Sequence, residues 1–115
     1  MRNMDRDELR TKMQVSPGST LLLDVRDRED YEKEHIYGAV SVPVAELSKL
    51  VKKHFSRDQE IVVYCTSFEC PASTRAAHIL EKMGYKYVSD YKGGLLDWKV
   101  AGFLTEGREA AKMAA

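Results

Sequence analysis

The chain of 115 residues holds two cysteines, Cys65 and Cys70, and both follow on a short apolar run, Ile61-Val62-Val63-Tyr64. That run is β-branched and too short for a helix, so it reads as a strand buried on both faces. Cys65 stands at its end, Thr66, Ser67, Phe68 and Glu69 form a loop, and Cys70 precedes Pro71, a residue suited to the first position of a helix. A thiol between a strand end and a helix start meets unpaired backbone N–H groups and the positive end of the helix dipole. Both favour an anion. Cys65 is therefore expected to lose its proton more readily than a free thiol, and the thiolate is the nucleophilic form.

Other uses of the pair are weaker. A Cys65–Cys70 disulfide would close a very short loop and constrain the unfolded chain little, so in a reducing compartment the pair reads as chemical rather than structural. A zinc site needs about four ligands, and beyond the cysteines only His35, His54 and His78 are on offer, at no recognised spacing. No metal and no cofactor is expected. The plainer reading of Cys65 is an inert buried thiol, and that of Cys70 a loop residue without a role.

The elements that must hold this loop can be read from spacing. Asp5 caps an amphipathic helix through Met13, and Ser16-Pro17-Gly18-Ser19 breaks it. Thr20 to Asp24 is a buried strand, and Asp27 is placed to cap a charged helix, DREDYEKEH. Ala39 to Val42 is a short extended run ended by Pro43, and Val44 to Lys53 a helix with Val44, Leu47, Leu50 and Val51 on one face. After the cysteine loop, Pro71 to Met83 is the clearest helix, with Ala72, Ala76, Ile79, Leu80 and Met83 on one face and Gly84 as its C-cap. Tyr85 to Tyr91 is a further strand, Gly93-Gly94 breaks it, and Leu95 to Val100 is a short helix carrying Trp98. Strands separated by helices at this spacing predict an α/β domain with a doubly wound parallel sheet and helices on both faces. Ligands of such sheets bind beyond the carboxyl ends of the strands, where Cys65 lies.

Composition narrows the function classes. Eighteen basic residues balance eighteen acidic ones, so no overall field draws in nucleic acid or an anionic membrane. The apolar runs fall far short of a membrane span, and MRNMDRDELR lacks the apolar core of a signal peptide. The expectation is a cytoplasmic monomer with one domain at residues 5–107 and a C-terminal tail at 108–115.

Three motifs, in order, carry a family resemblance. LLLDVRDREDYEKEHIYGAVSVPV resembles the first signature of rhodanese-like sulfurtransferase domains, Val63-Tyr64-Cys65 their active-site strand and nucleophile, and KGGLLDW their closing signature. The resemblance implies a cysteine that takes sulfur from a donor, holds it as a persulfide and passes it to a nucleophile; Cys65 matches that position. Where common thiosulfate-using members carry a glycine and an arginine, this longer loop has Phe68 and Cys70, and Glu69 adds a negative charge. Weak use of thiosulfate is therefore expected. Cys70 is placed to resolve a Cys65 persulfide by forming a disulfide. Loop residues Thr66, Ser67, Phe68 and Glu69 would line the substrate. Arg75 offers a cation, though it shares a face with His78 and Lys82 that reads equally as solvated surface. Asp24, Arg26 and His35 match family positions and read first as loop-tying groups, and Gly93, Gly94 and Trp98 as turn and packing.

The implied partners are a small sulfur donor and a thiol acceptor, small-molecule or protein. Two rivals are a cysteine phosphatase or arsenate reductase, disfavoured because no arginine precedes Arg75 in the loop, and a non-catalytic module that senses redox state or binds a partner.

Overall fold

The computed structural model describes residues 1–110. In chain order the elements are β1 (Arg2–Asn3), α1 (Arg6–Val15), β2 (Thr20–Asp24), α2 (Arg28–Lys33), β3 (His35–Ile36), β4 (Val40–Ser41), a 3₁₀ turn (Val44–Glu46), α3 (Leu47–His54), β5 (Glu60–Tyr64), α4 (Ala72–Lys82), β6 (Tyr87–Tyr91), α5 (Gly94–Val100) and β7 (Thr105–Glu106). Five strands make one sheet in the order β1-β6-β5-β2-β4, every pair parallel. The expected α/β architecture with a parallel sheet covered on both faces is the one observed. β3 and β7 form a separate antiparallel pair.

The alternation of side chains along β5 explains the two layers. Ile61, Val63 and Cys65 face α3 and α4 in a cluster with Leu47, Val51, Ala76, Ala77 and Leu80. Val62 and Tyr64 face the other way, among Leu9, Ile36, Leu95 and Trp98. Ile61, Val62 and Val63 are each fully buried, which stabilises the fold by about 1.5–3 kcal/mol per side chain. Ala76 and Ala77, both without exposure, leave room for α4 to lie close against β5 and β6. The α4 stripe that is buried is Ser73, Ala76, Ala77 and Leu80, with Ala72, Ile79 and Met83 at its margin.

Several boundaries differ from the sequence reading. Asp27 stands at the start of α2, and its carbonyl accepts Tyr31 N–H, but its exposed side chain makes no cap hydrogen bond. α2 ends at Lys33 because His35 and Ile36 are drawn into pairing with Glu106 and Thr105. Val44 to Glu46 is a tight 3₁₀ turn before α3. β6 begins at Tyr87, since Tyr85 is spent packing under α3, its hydroxyl donating to the Val51 and Phe55 carbonyls. Gly84 has φ +93 and closes α4 as expected. Of the expected tail, Arg108 and Glu109 donate backbone N–H groups to the Glu32 and Lys33 carbonyls of α2. Residues 111–115 lie outside the described residues.

Candidate active site

Parallel pairing brings three strand ends together: Asp24 lies opposite Tyr64, and Tyr64 opposite Tyr91. The loop from Cys65 to Pro71 leaves this edge between β2 and β6. It is curled rather than extended, because Cys70 N–H donates to the Ser67 carbonyl at 3.1 Å. Ser67 Oγ also donates to Glu69 Oε2 at 2.9 Å. The curl brings Cys70 back toward Cys65, whose Sγ lies 3.4 Å from the Cys70 carbonyl. Both thiols are free.

Cys65 is fully buried, and its Sγ donates to the Cys70 carbonyl at 3.4 Å. Lys92 Nζ donates to the same carbonyl at 2.9 Å. Burial pushes the Cys65 thiol up, and the neighbouring Cys70 sulfur pushes it further; the Ser73 hydroxyl and backbone N–H oppose this only in part. Ser73 Oγ is buried without a hydrogen-bond partner of ordinary geometry, beside a sulfur whose charged form it would favour. For Cys70, burial also opposes ionisation. It is outweighed by the neighbouring Cys65 thiol, by the N–H groups of Ala72 and Thr66, and by the Lys92 ammonium, which together hold the Cys70 thiol below its ordinary value.

This reverses the expectation for Cys65. Of the N–H groups in the first turn of α4, that of Ala72 favours the Cys70 thiolate and that of Ser73 the Cys65 thiolate, but Cys65 is also enclosed by apolar neighbours and burial prevails there. Adjacent thiols share a proton in this way: the first leaves readily, and the remaining S–H stabilises the thiolate.

The closing glycines position the loop. Leu95 N–H donates to the Cys65 carbonyl at 3.0 Å and Leu96 N–H to the Thr66 carbonyl at 2.9 Å, so the first turn of α5 sits on the backbone of the cysteine loop. Gly94 has φ +68, and a Cβ there would lie 2.4 Å from the Cys65 oxygen. Only glycine allows that approach. Trp98 is buried and its Nε1 donates to the Leu104 carbonyl at 2.9 Å. Gly93 has an ordinary φ of −61.

The remaining predicted residues fall elsewhere. Asp24 is fully buried and accepts from Arg26 Nη2 at 2.7 Å and from Tyr64 Oη at 2.7 Å. Arg26 also donates to the Glu34 carbonyl at 2.7 Å. His35 stacks on Tyr31 with centroids 3.7 Å apart. Its Nδ1 lies 2.6 Å from the Tyr31 carbonyl, and its Nε2 lies 3.1 Å from Glu106. These three tie the segments after β2 to the β3–β7 pair and are not brought to the thiols. Phe68 is 61% exposed at the loop, and Thr66 and Glu69 are exposed. Arg75 is exposed and lines an open groove with Glu69, Pro71, His78, Lys82 and Lys92. Among the described residues no helix is long and apolar enough to cross a membrane.

Residues 5–101 match the rhodanese-like domain. The chain belongs to this family. It is 33% identical over 85 residues to the thiosulfate sulfurtransferase GlpE of Coxiella burnetii, covering 74% of this chain and 77% of that protein. It is 36% identical over 88 residues to the putative sulfur carrier protein YrkF of Bacillus subtilis, covering 76% of this chain but 46% of the carrier, so the chain spans less than half of that relative. The solution structure of the rhodanese-like domain of the Anabaena protein Alr3790 superimposes with a TM-score of 0.87 at 30% identity, covering 100% of this chain and 86% of that one.

Two residues around this rhodanese-like loop escaped the sequence reading. Lys92 stands directly before Gly93-Gly94, and its place at the end of a strand parallel to β5 was the available signal. Ser73 had none, because a serine in the first turn of a helix looks like any polar surface residue until α4 is seen against the sheet.

Proposed function

We propose that this rhodanese-like domain is a sulfurtransferase that carries sulfane sulfur as a persulfide on Cys65. The observation that carries the reading is a free strand-end thiol whose Sγ lies 3.4 Å from the carbonyl of a second free cysteine in one curled loop. The relatives named thiosulfate sulfurtransferase and sulfur carrier support it. A donor R–S–SH or a polysulfide gives up its outer sulfur to a thiolate of the pair, and RS⁻ leaves. The stored sulfur then passes to an acceptor thiol or other nucleophile. Alternatively, Cys70 attacks the Cys65 sulfur bearing the persulfide, hydrosulfide departs with the electron pair, and the resulting disulfide is reopened by an external thiol. The short turn from Ser67 to Cys70 supports that resolving step.

Donor choice follows from charge. The loop offers an ionised carboxylate at Glu69, held below the usual carboxylate range by the Ser67 hydroxyl. Lys92, which lines the same groove, is engaged with the Cys70 carbonyl, and Arg75 and Lys82 stand further along α4. A dianionic donor is disfavoured there relative to a persulfide or polysulfide. The proposed setting is a reducing cytoplasm, with the domain acting as a monomer on small donors and a thiol acceptor, small-molecule or protein, and with no nucleic-acid or membrane partner.

The test is intact-mass spectrometry with peptide mapping after exposure to thiosulfate, polysulfide or glutathione persulfide, together with transfer to cyanide. One added sulfur mapping to Cys65 in the wild-type protein, with turnover to cyanide, is expected, and a wild-type protein in which sulfur never reaches Cys65 overturns the reading. A protein that forms only the Cys65–Cys70 disulfide, with no sulfur turnover, would instead be a redox-responsive module.

A further inference from the structure

We propose that sulfur enters the domain at Cys70 and is handed on to Cys65, making the loop a two-thiol relay with a half-exposed entry and a buried store. This rests on the sulfurtransferase reading above. Cys65 has no exposed surface, and its Sγ is turned toward the Cys70 carbonyl of its own loop. Displacement at a sulfane sulfur requires the attacking, central and leaving sulfurs to come into line, which a donor the size of glutathione persulfide cannot do at an enclosed thiol. Cys70 is half-buried, follows exposed Glu69 and precedes exposed Pro71.

Charge and access point the same way. Glu69, Pro71 and Lys92, which flank Cys70 in sequence or hold its carbonyl, line the open groove that continues past Arg75, His78 and Lys82. Among the described residues, Arg75 and Lys82 have no carboxylate partner, whereas most cations elsewhere in the chain do. The groove therefore suits the carboxylate-bearing body of a small thiol. The Cys70 carbonyl, gripped by both Cys65 Sγ and Lys92 Nζ, keeps the two thiols in register.

The steps balance without an oxidant. Cys70 thiolate attacks the outer sulfur of R–S–SH, forming a Cys70 persulfide as RS⁻ leaves. Cys65 then attacks the outer sulfur of that persulfide. A Cys65 persulfide forms, the Cys70 sulfur departs with the electron pair of the broken S–S bond, and the proton shed by Cys65 remains on the pair. The reverse transfer delivers sulfur to an acceptor waiting at Cys70, so Cys65 need never be exposed.

Two measurements test the relay on the reduced full chain. In the wild-type protein at neutral pH, N-ethylmaleimide mapped by peptide mass should label Cys70 about tenfold or more faster than Cys65; equal or reversed labelling overturns the proposal. With glutathione persulfide, Cys65→Ser should carry one extra sulfur on Cys70, while Cys70→Ser should load about tenfold or more slowly. A Cys65→Ser protein that stays unloaded beside a Cys70→Ser protein that loads at the wild-type rate sinks the relay and leaves the sulfurtransferase reading standing. If the wild-type protein takes no sulfur from glutathione persulfide, polysulfide or thiosulfate, both fall together.

Discussion

Replacing Gly94 by alanine isolates how tightly α5 is seated on the cysteine loop. The φ of +68 places the new Cβ in the left-handed region, at a cost of about 1–2 kcal/mol. The Cβ would also lie 2.4 Å from the Cys65 oxygen and 2.8 Å from the Thr66 carbonyl carbon, both backbone atoms that cannot swing aside. Relief requires the helix start to lift, which loosens the hydrogen bonds from Leu95 and Leu96, each contributing about 1 kcal/mol net. The entropy lost from the unfolded chain returns about 0.5 kcal/mol. Gly94→Ala should therefore destabilise by about 3 kcal/mol, a fall in Tm on the order of 15 °C for a domain of this size. Gly102→Ala is the internal control, because its φ is +78 while a Cβ added there would meet nothing within 4 Å. It should cost only about 1 kcal/mol. Urea titrations of both variants give the difference directly. A gap below about 0.5 kcal/mol, within the scatter of such comparisons, would show that contact with the loop backbone contributes nothing and refute the seating argument.

Two further perturbations probe the supports around the site. Tyr64→Phe removes the hydroxyl that donates to Asp24 at 2.7 Å and accepts Ile36 N–H at 3.0 Å, leaving a buried N–H unpaired. A loss of about 2–4 kcal/mol is expected in urea unfolding, and a loss under about 1 kcal/mol would mean that water replaces the hydroxyl. Glu34 gives a pH signature. Its burial opposes ionisation, but Lys99, Thr105 and Arg26 outweigh it and hold the carboxyl below its ordinary value. A depressed folded pKa adds stability that is fully present above the unfolded value of about 4.3 and fades as pH falls through the folded one. Glu34→Gln should thus be less stable than wild type at pH 7, with the gap narrowing below about pH 4. A gap that stays constant with pH would exclude this charge effect.

The sequence alone determined the layered sheet and the location of its chemistry. Ile61 to Tyr64 could only be a buried central strand, because nothing in that run is polar enough to face water. Punctuation by Pro71, Gly84 and Gly93-Gly94 then set the helices on either side, placing Cys65 at the carboxyl edge where parallel strands leave backbone groups open. The alanines of α4 and the three ordered motifs were legible for the same reason: local propensity and spacing agreed with the global fold.

Only the tertiary structure decided what surrounds each thiol. The first turn of α4 offers the Ala72 N–H to Cys70 and the Ser73 N–H to Cys65, while the turn from Ser67 to Cys70 closes Cys65 into the apolar layer. Lys92, twenty-two residues further along the chain from Cys70, reaches the loop because β6 pairs with β5. The short strands β1, β3 and β7 were invisible beforehand: two-residue pairings carry no periodicity, and they form only where the folded chain offers an edge. Spacing along one chain identifies candidate nucleophiles, but their relative acidity is a property of burial and of neighbours that only packing brings together.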